Sequence, residues 1–211
     1  KKQLDLDLSP IESLKKIINL SKVYKDPKEP PYPILVGYLG YPMVKYMEKL
    51  TLNNPDPIKI PEALLIRPKI AAVFDNIKDT IDIMTLIYPE NNIDAEKALK
   101  LAEDRINTNI KKLNIQILKD KMEKEKVLKK NINIHSNFTK EEYLKVVNKA
   151  KKYIYSGDIF QVVPSQRFQC DYLLSAKSLY RSLRRLNPSP FLVNLNFDDF
   201  GLVASSPEIL V

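Results

Sequence analysis

Glycine is scarce in this 211-residue chain, and its four residues are too few for a Walker loop or a dinucleotide-binding turn. Gly37-Tyr38-Leu39-Gly40 has neither the further glycine nor the lysine that a phosphate cradle needs. Histidine and cysteine occur once each, as His135 and Cys170, which leaves a His/Cys zinc site and a Ser-His-Asp triad without a basis. Cys170 cannot close an intrachain disulfide, and its strand-like surroundings suggest a buried, reduced thiol. No apolar run reaches the roughly 18 to 20 residues that cross a bilayer, and no signal-peptide core follows Lys1. A cytoplasmic protein without membrane partners is expected.

The net charge of +8 is unevenly spread, because residues 111–130 hold eight lysines against Asp120, Glu123 and Glu125. Elsewhere the two signs nearly balance. Lysine far outnumbers arginine, and no aromatic-interleaved basic stripe occurs, so nucleic acid is not an expected partner. With 44% apolar residues the chain can build a real core, as one large or two small domains.

Apolar spacing predicts a helix over 11–21, a proline-rich loop over 26–33, a short strand near 34–38 and a helix over 43–50. Runs at 63–66, 70–74 and 81–88, parted by Pro68 and by Asp75-Asn76, predict strands of an antiparallel sheet. From Asp94 onward Ala95, Ala98, Leu99, Ala102, Ile106, Ile110 and Leu113 recur at helical spacing. A lysine-rich stretch follows, whose charges would be costly to bury, and it reads as a solvated helix or linker between two units.

The second unit opens with Thr139 as helix cap, Glu142 completing a capping box and Phe138 stapled onto Tyr143. Val146, Val147, Ala150 and Ile154 continue the apolar face, and Gly157 stands where a left-handed residue can end the helix. Residues 158–170 read as a strand, and 175–186 as a second amphipathic helix with a serine cap. Asn187-Pro188-Ser189-Pro190 is then a rigid break. Phe191, Val193, Leu195 and Phe197 alternate with Leu192, Asn194 and Asn196 as a half-buried strand, turned at Asp198-Asp199 into a last strand from Leu202. Residues 157–170, 191–197 and 202–211 are expected to share one sheet. The fold class is therefore α+β, with largely antiparallel strands and outer helices, since turns rather than regular helical crossovers link the strands.

Polar residues set on apolar strands are the candidate chemistry. Strand alternation puts Gln161, Ser165 and Arg167 on one face and Gln166 on the other, which fits either a wet strand face or a polar-lined ligand site. Glu208 enters an apolar run after Ser206-Pro207. Such a carboxyl can have a raised pKa and act as an acid, or can simply be a surface glutamate at a strand end. His135 reads as a surface residue beside the linker.

Three segments in order, SGDIFQVVPSQRF at 156–168, NPSPF at 187–191 and SSPEILV at 205–211, resemble the chorismate-utilising enzyme family, and within it the component I family of anthranilate synthases. VGYLGYPMVKYMEKL at 36–50, NPDP at 54–57 and IRPKIAAVFDNI at 66–77 are similar to the N-terminal domain of that family, so the resemblance covers nearly the whole chain. Pro42, Leu192 and Ala204 depart from residues common there, and none of the three removes a reacting group. The closest rival is component I of aminodeoxychorismate synthase. Val162-Val163-Pro164 and the NPSPF run resemble the anthranilate enzymes more. A rival of another class is a catalytically inert binding fragment.

The resemblance implies residues 1–115 as part of a regulatory N-terminal domain, 116–136 as linker and 137–211 as the first part of a chorismate-binding catalytic domain. It implies conversion of chorismate and ammonia to anthranilate and pyruvate, with Mg2+ as cofactor, a glutamine amidotransferase subunit (component II) as partner, and L-tryptophan as feedback inhibitor. Glu208 matches the family's general acid. Gln161 falls in the substrate pocket, where water-using relatives carry a lysine base; an amide cannot serve as that base, and neutral ammonia needs none. Asn187, Pro188, Ser189, Pro190, Phe191 and Leu192 match a segment lining the tryptophan site. The magnesium ligands and a catalytic histidine would lie beyond Val211. Both ends read as cut, and the chain alone is expected to be an inactive internal fragment.

Overall fold

The computed structural model describes residues 7–21, 32, 35–88, 93–114 and 132–206. Residues 115–131, with most of the lysine-rich stretch, and Glu208 lie outside them, as does the proline-rich loop except Tyr32. The chain divides into two compact units, Lys1–Leu118 and Lys119–Val211.

In the first unit helix α1 (Pro10–Leu20) starts with a reciprocal cap. Ser9 Oγ accepts the Glu12 N–H at 3.3 Å, and the Glu12 carboxylate accepts the Ser9 N–H at 2.9 Å. Pro10 sits in the first turn, where a missing N–H costs no intrahelical hydrogen bond. Strand β1 (Val36–Leu39) pairs antiparallel with β2 (Ala63–Ile66), Gly37 facing Leu65. A Cβ on Gly37 would stand 1.9 Å from the Leu64 carbonyl oxygen, so only hydrogen fits there.

The helix expected over 43–50 is instead a shorter 3-10 helix, Tyr41–Tyr46, which starts at Gly40 and Pro42. Its Met43 is buried, 4% exposed, and Lys45 is tied to Glu62 at 2.5 Å, an interaction that raises the Lys45 pKa. These two anchors at the start of the segment favour the tight turn over a longer α-helix.

Strands β3 (Ala71–Asp75) and β4 (Thr80–Met84) form a hairpin. At its turn the Asp75 carboxylate accepts the Lys78 and Ile77 N–H groups at 3.0 and 2.9 Å, which holds its pKa below the usual value. Asp79 takes a left-handed φ of 55°, a conformation that Asp tolerates better than most residues. β4 stops short of the expected 88. Thr85 turns its hydroxyl back to the Lys69 carbonyl, at 2.6 Å, and accepts Arg105 Nη1 at 2.7 Å.

Helix α2 (Ala95–Asn114) packs on β4. Its covered stripe is Ala98, Ala102, Arg105, Ile106 and Asn109, whereas Leu99, Ile110 and Leu113, expected on the buried face, are exposed. Ala102 is buried, and Arg105 bonds Thr85 just past β4, so the covered face is turned toward these two residues. The single antiparallel sheet expected over 63–88 is two separate two-stranded ladders, β1–β2 and β3–β4.

In the second unit α3 (Lys140–Tyr155) has the expected capping box. Thr139 Oγ1 accepts the Glu142 N–H at 3.2 Å, and the Glu142 carboxylate accepts the Thr139 N–H at 2.8 Å. Phe138 meets Tyr143 edge-on with ring centroids 6.1 Å apart, the expected staple. Gly157, with φ 81°, follows the helix end, and its N–H donates to the Ile154 carbonyl. Helix α4 (Ala176–Leu186) is capped by Ser175 and packs on the hairpin of β7 (Phe191–Asn196) and β8 (Gly201–Ser206). A Cβ on Gly201 would fall 2.9 Å from the Ala176 Cβ, so this glycine permits the close helix approach.

Two expectations for this unit fail. Residues 158–167 form no ladder; only Phe168–Gln169 is strand (β6), and it pairs with His135–Ser136 (β5), not with β7–β8. Pro164 has no N–H, and the Asn137 side chain takes the Arg167 N–H at 2.8 Å, so these backbone groups find partners outside a sheet. Alternation specifies which side chains share a face but not which strand lies alongside. Cys170, expected to be buried, is exposed.

Thr139→Ala should cost about 1 kcal/mol of α3 stability, read as faster amide exchange over residues 140–146. Glu142 is the second half of this device. The Thr139 backbone N–H, then its hydroxyl, lowers the Glu142 pKa, so its folded-state value lies below the unfolded one. Its stabilisation is therefore present above the ordinary carboxylate pKa and is lost as pH falls through the depressed one. Exchange protection at the start of α3 should fall on acidification through that window, and Glu142→Gln should flatten the acid dependence. Gly37→Ala should open the β1–β2 ladder, seen as lost protection at residues 36–39 and 63–66 with β3–β4 unaffected.

Candidate functional site

Prolines at 188 and 190 leave two backbone positions with no donor just where α4 ends and β7 begins. The chain compensates with hydroxyls. Asn187 closes α4 by donating its N–H to the Leu183 carbonyl at 2.8 Å, and its own carbonyl accepts Ser205 Oγ at 2.9 Å. Ser189 Oγ donates to the Ser206 carbonyl and accepts the Phe191 N–H at 3.1 Å. The ladder register, Phe191 opposite Ser206 and Leu192 opposite Ser205, carries these contacts into the hairpin.

Asn187, Pro188, Pro190 and Phe191 are exposed, while Ser189 and Leu192 are half-buried. The segment is thus a fixed wall with an outward aromatic and proline surface, and Ser189 faces the protein. Hydrogen bonds join it to Ser205 and Ser206 at the end of β8. Leu192 is more covered than Phe191 or Val193, although alternation places it on the polar face.

Gln161 stands apart from that wall. It is exposed in the irregular stretch, between a fully exposed Phe160 and the exposed Val162 and Val163. Its neighbours Gln166 and Arg167 are the half-buried ones: Gln166 Nε2 donates to Ser136 Oγ at 2.7 Å, and Tyr143 Oη donates to the Pro164 carbonyl at 3.3 Å. Glu208 is outside the described residues. Among the described residues no three His, Cys, Asp or Glu side chains group as a metal site would require. None of their helices is long and apolar enough to cross a membrane.

Sequence patterns did not reveal two further polar clusters. In the first unit Arg67 donates to Ser21 Oγ at 3.1 Å and lies 4.3 Å over the Tyr88 ring, and Tyr32 Oη donates to the Pro68 carbonyl at 3.0 Å. Ser21 is 2% exposed, and Tyr88 Oη is buried without a hydrogen-bond partner. Burial, and then the nearby Tyr88, pushes the Tyr32 phenol pKa up. This cluster joins α1, the β2–β3 connection, the end of β4 and Tyr32. In the second unit Tyr180, Arg181, Arg184 and Arg185 line a cleft of about 310 Å³ on α4. The last-turn arginines there complement the negative end of the helix dipole, which accounts for them without a ligand. A count of arginine spacing along α4 could have found this cluster; nothing local signals the first.

The profile of the chorismate binding enzyme family matches residues 2–211. Anthranilate synthase component 1 of Cereibacter sphaeroides is 40% identical over 209 residues, covering 98% of this chain and 41% of that protein. The component 1 protein of Aquifex aeolicus is 38% identical over 205 residues, covering 96% of this chain and 40% of its own length. This chain thus spans about two fifths of each relative's length. The crystal structure of anthranilate synthase component I from Streptococcus pneumoniae TIGR4 superposes with a TM-score of 0.71 at 24% identity, over 96% of this chain and 44% of that one, which establishes a shared α+β fold. With a family match along nearly its whole length, the chain belongs to the chorismate binding enzyme family.

Proposed function

We propose that this chain is part of the large subunit of an anthranilate synthase, which converts chorismate and ammonia to anthranilate and pyruvate in tryptophan biosynthesis. The observation that carries the reading is the 40% identity to an anthranilate synthase component 1 along 98% of the chain. The first unit then belongs to the regulatory N-terminal domain and the second to the chorismate-binding domain. Chorismate is the substrate, a glutamine amidotransferase (component II) delivers ammonia, and L-tryptophan inhibits by occupying the Asn187–Leu192 wall. A cytoplasmic setting fits this chemistry. Mg2+ would be the cofactor, held by ligands outside these 211 residues, and its charge would neutralise the substrate carboxylate.

The residues of this chain have narrower tasks. Ammonia attacks a ring carbon beside the carboxylate while the ring hydroxyl departs, and that oxygen needs a proton to leave as water. Glu208 donates it. Gln161 lies on the nucleophile side, where an amide can orient but not deprotonate, which suits neutral ammonia and disfavours water. A wall stiffened by two prolines pays little ordering entropy when a small aromatic ligand arrives, which suits an inhibitor site.

In the full-length subunit, Glu208→Gln should lower kcat for ammonia-dependent anthranilate formation by about a hundredfold or more, with KM for chorismate within about threefold, because the amide keeps the shape but cannot donate the proton. Anthranilate fluorescence and product chromatography read this out. Equal losses in kcat and in binding would assign Glu208 a structural role. Accumulation of aminodeoxychorismate by the parent subunit would replace the anthranilate reading with its closest relative.

A further inference from the structure

In the first unit the polar cluster around Arg67 carries more hydrogen-bond donors than acceptors. Arg67 spends Nη2 on Ser21 Oγ at 3.1 Å, and its guanidinium carbon lies 4.3 Å from the centre of the Tyr88 ring, a stacking contact that uses no N–H. Arg105 sends Nη1 to Thr85 Oγ1 at 2.7 Å, and the Thr85 hydroxyl has already given its own proton to the Lys69 carbonyl. Tyr32, kept protonated by burial and then by Tyr88, donates to the Pro68 carbonyl and is close enough to Arg105 to feel its charge. Tyr88 Oη is buried with no partner, which is costly for a hydroxyl. Ion pairs among the described residues join Lys45 to Glu62 and Lys78 to Asp75, and neither arginine enters one. The corner thus presents two positive charges and unspent N–H and O–H groups, and the described residues set no carboxylate against them.

We infer that this corner, between the end of α1, the β2–β3 connection and the chain just past β4, is a binding site for a small oxyanion, held by Arg67 and the Tyr88 hydroxyl. A carboxylate or phosphate group is the complement of such a donor set. It accepts from the guanidinium fork and the phenol together, and its charge offsets that of the arginine. A water molecule would satisfy Tyr88 but leave the charge, and an apolar ligand would leave both. Arg67 is exposed and opens the corner to solvent, whereas Ser21, 2% exposed, and Tyr88 Oη close its inner side. The site needs no assumption about the reaction and lies wholly within the first unit.

The test uses the full-length subunit with inorganic phosphate and acetate as probes, against chloride at equal ionic strength. Mass spectrometry reads amide exchange over residues 18–21, 66–69 and 85–88. Millimolar phosphate or acetate should slow exchange there by about threefold or more, and chloride should not. A response to acetate alone assigns a carboxylate ligand, and one to phosphate alone a phosphate ligand. Arg67→Lys keeps the charge but loses the fork, and should raise the half-saturating concentration by about tenfold. Tyr88→Phe should weaken the response by about fivefold, yet without a probe its exchange should be as slow as the parent's or slower, because the hydroxyl it removes has no partner to lose. No response in the parent, or one that chloride reproduces, would overturn the site. So would a Tyr88→Phe variant that responds as the parent does. Faster exchange in probe-free Tyr88→Phe would show the hydroxyl already bonded within the protein, and would overturn it as well.

Discussion

Pro188 and Pro190 set the constraint on which the corner between α4 and β7 depends. Each removes a backbone donor, and a strand cannot begin until the chain has passed them. The helix before them must therefore end on its own terms, with the Asn187 N–H closing onto Leu183, and the strand after them must start at Phe191. Serine hydroxyls at 189 and 205 supply the connections that the prolines forbid. The wall is rigid because its φ angles are fixed, and it is attached because two side chains substitute for the missing ladder.

Elsewhere stability is local and modular. Among the described residues every sheet is two-stranded, and a lone hairpin is marginal in water. Helices supply what third strands do not. α4 covers β7 and β8, with Gly201 allowing the backbones to close, and α2 packs on β4 and bonds Thr85 just beyond it through Arg105. Met43 and Ala102 are the only hydrophobic residues among the described residues that are buried, and neither is completely so, so capping and turn hydrogen bonds carry an unusually large share of local order. The reciprocal caps of α1 and α3 and the Asp75 turn are such bonds. Each lowers a carboxylate's pKa, through the Ser9 side chain and then its N–H at Glu12, and chiefly through backbone N–H groups at Asp75 and Glu142.

This arrangement bears on chemistry through rigidity. A polar residue in an irregular, exposed stretch such as 158–167 is not preorganised, and Gln161 is exposed there. The proline wall is preorganised. Its covered face is made of hydrogen bonds, and its outer face carries proline and phenylalanine, which can meet a flat apolar ligand.

The sequence by itself determined whatever depends on neighbours within a few residues. The Thr139–Glu142 box, the Phe138–Tyr143 staple, the Gly157 helix end, the Ser175 cap and the β3–β4 and β7–β8 hairpins are all short-range, because periodicity, caps and turns act over one to four residues. Motif order was enough to place the chain in its family. Tertiary structure alone decided which strand lies beside which: β6 joins β5 rather than β7–β8, and four ladders stand where fewer sheets were expected. It also rotated the covered face of α2, exposed Cys170 and brought Ser21, Arg67, Tyr88 and Tyr32 together from distant parts of the chain. Pairing depends on where unpaired N–H and C=O groups meet in space, and alternation of side chains along one strand carries no information about the strand next to it.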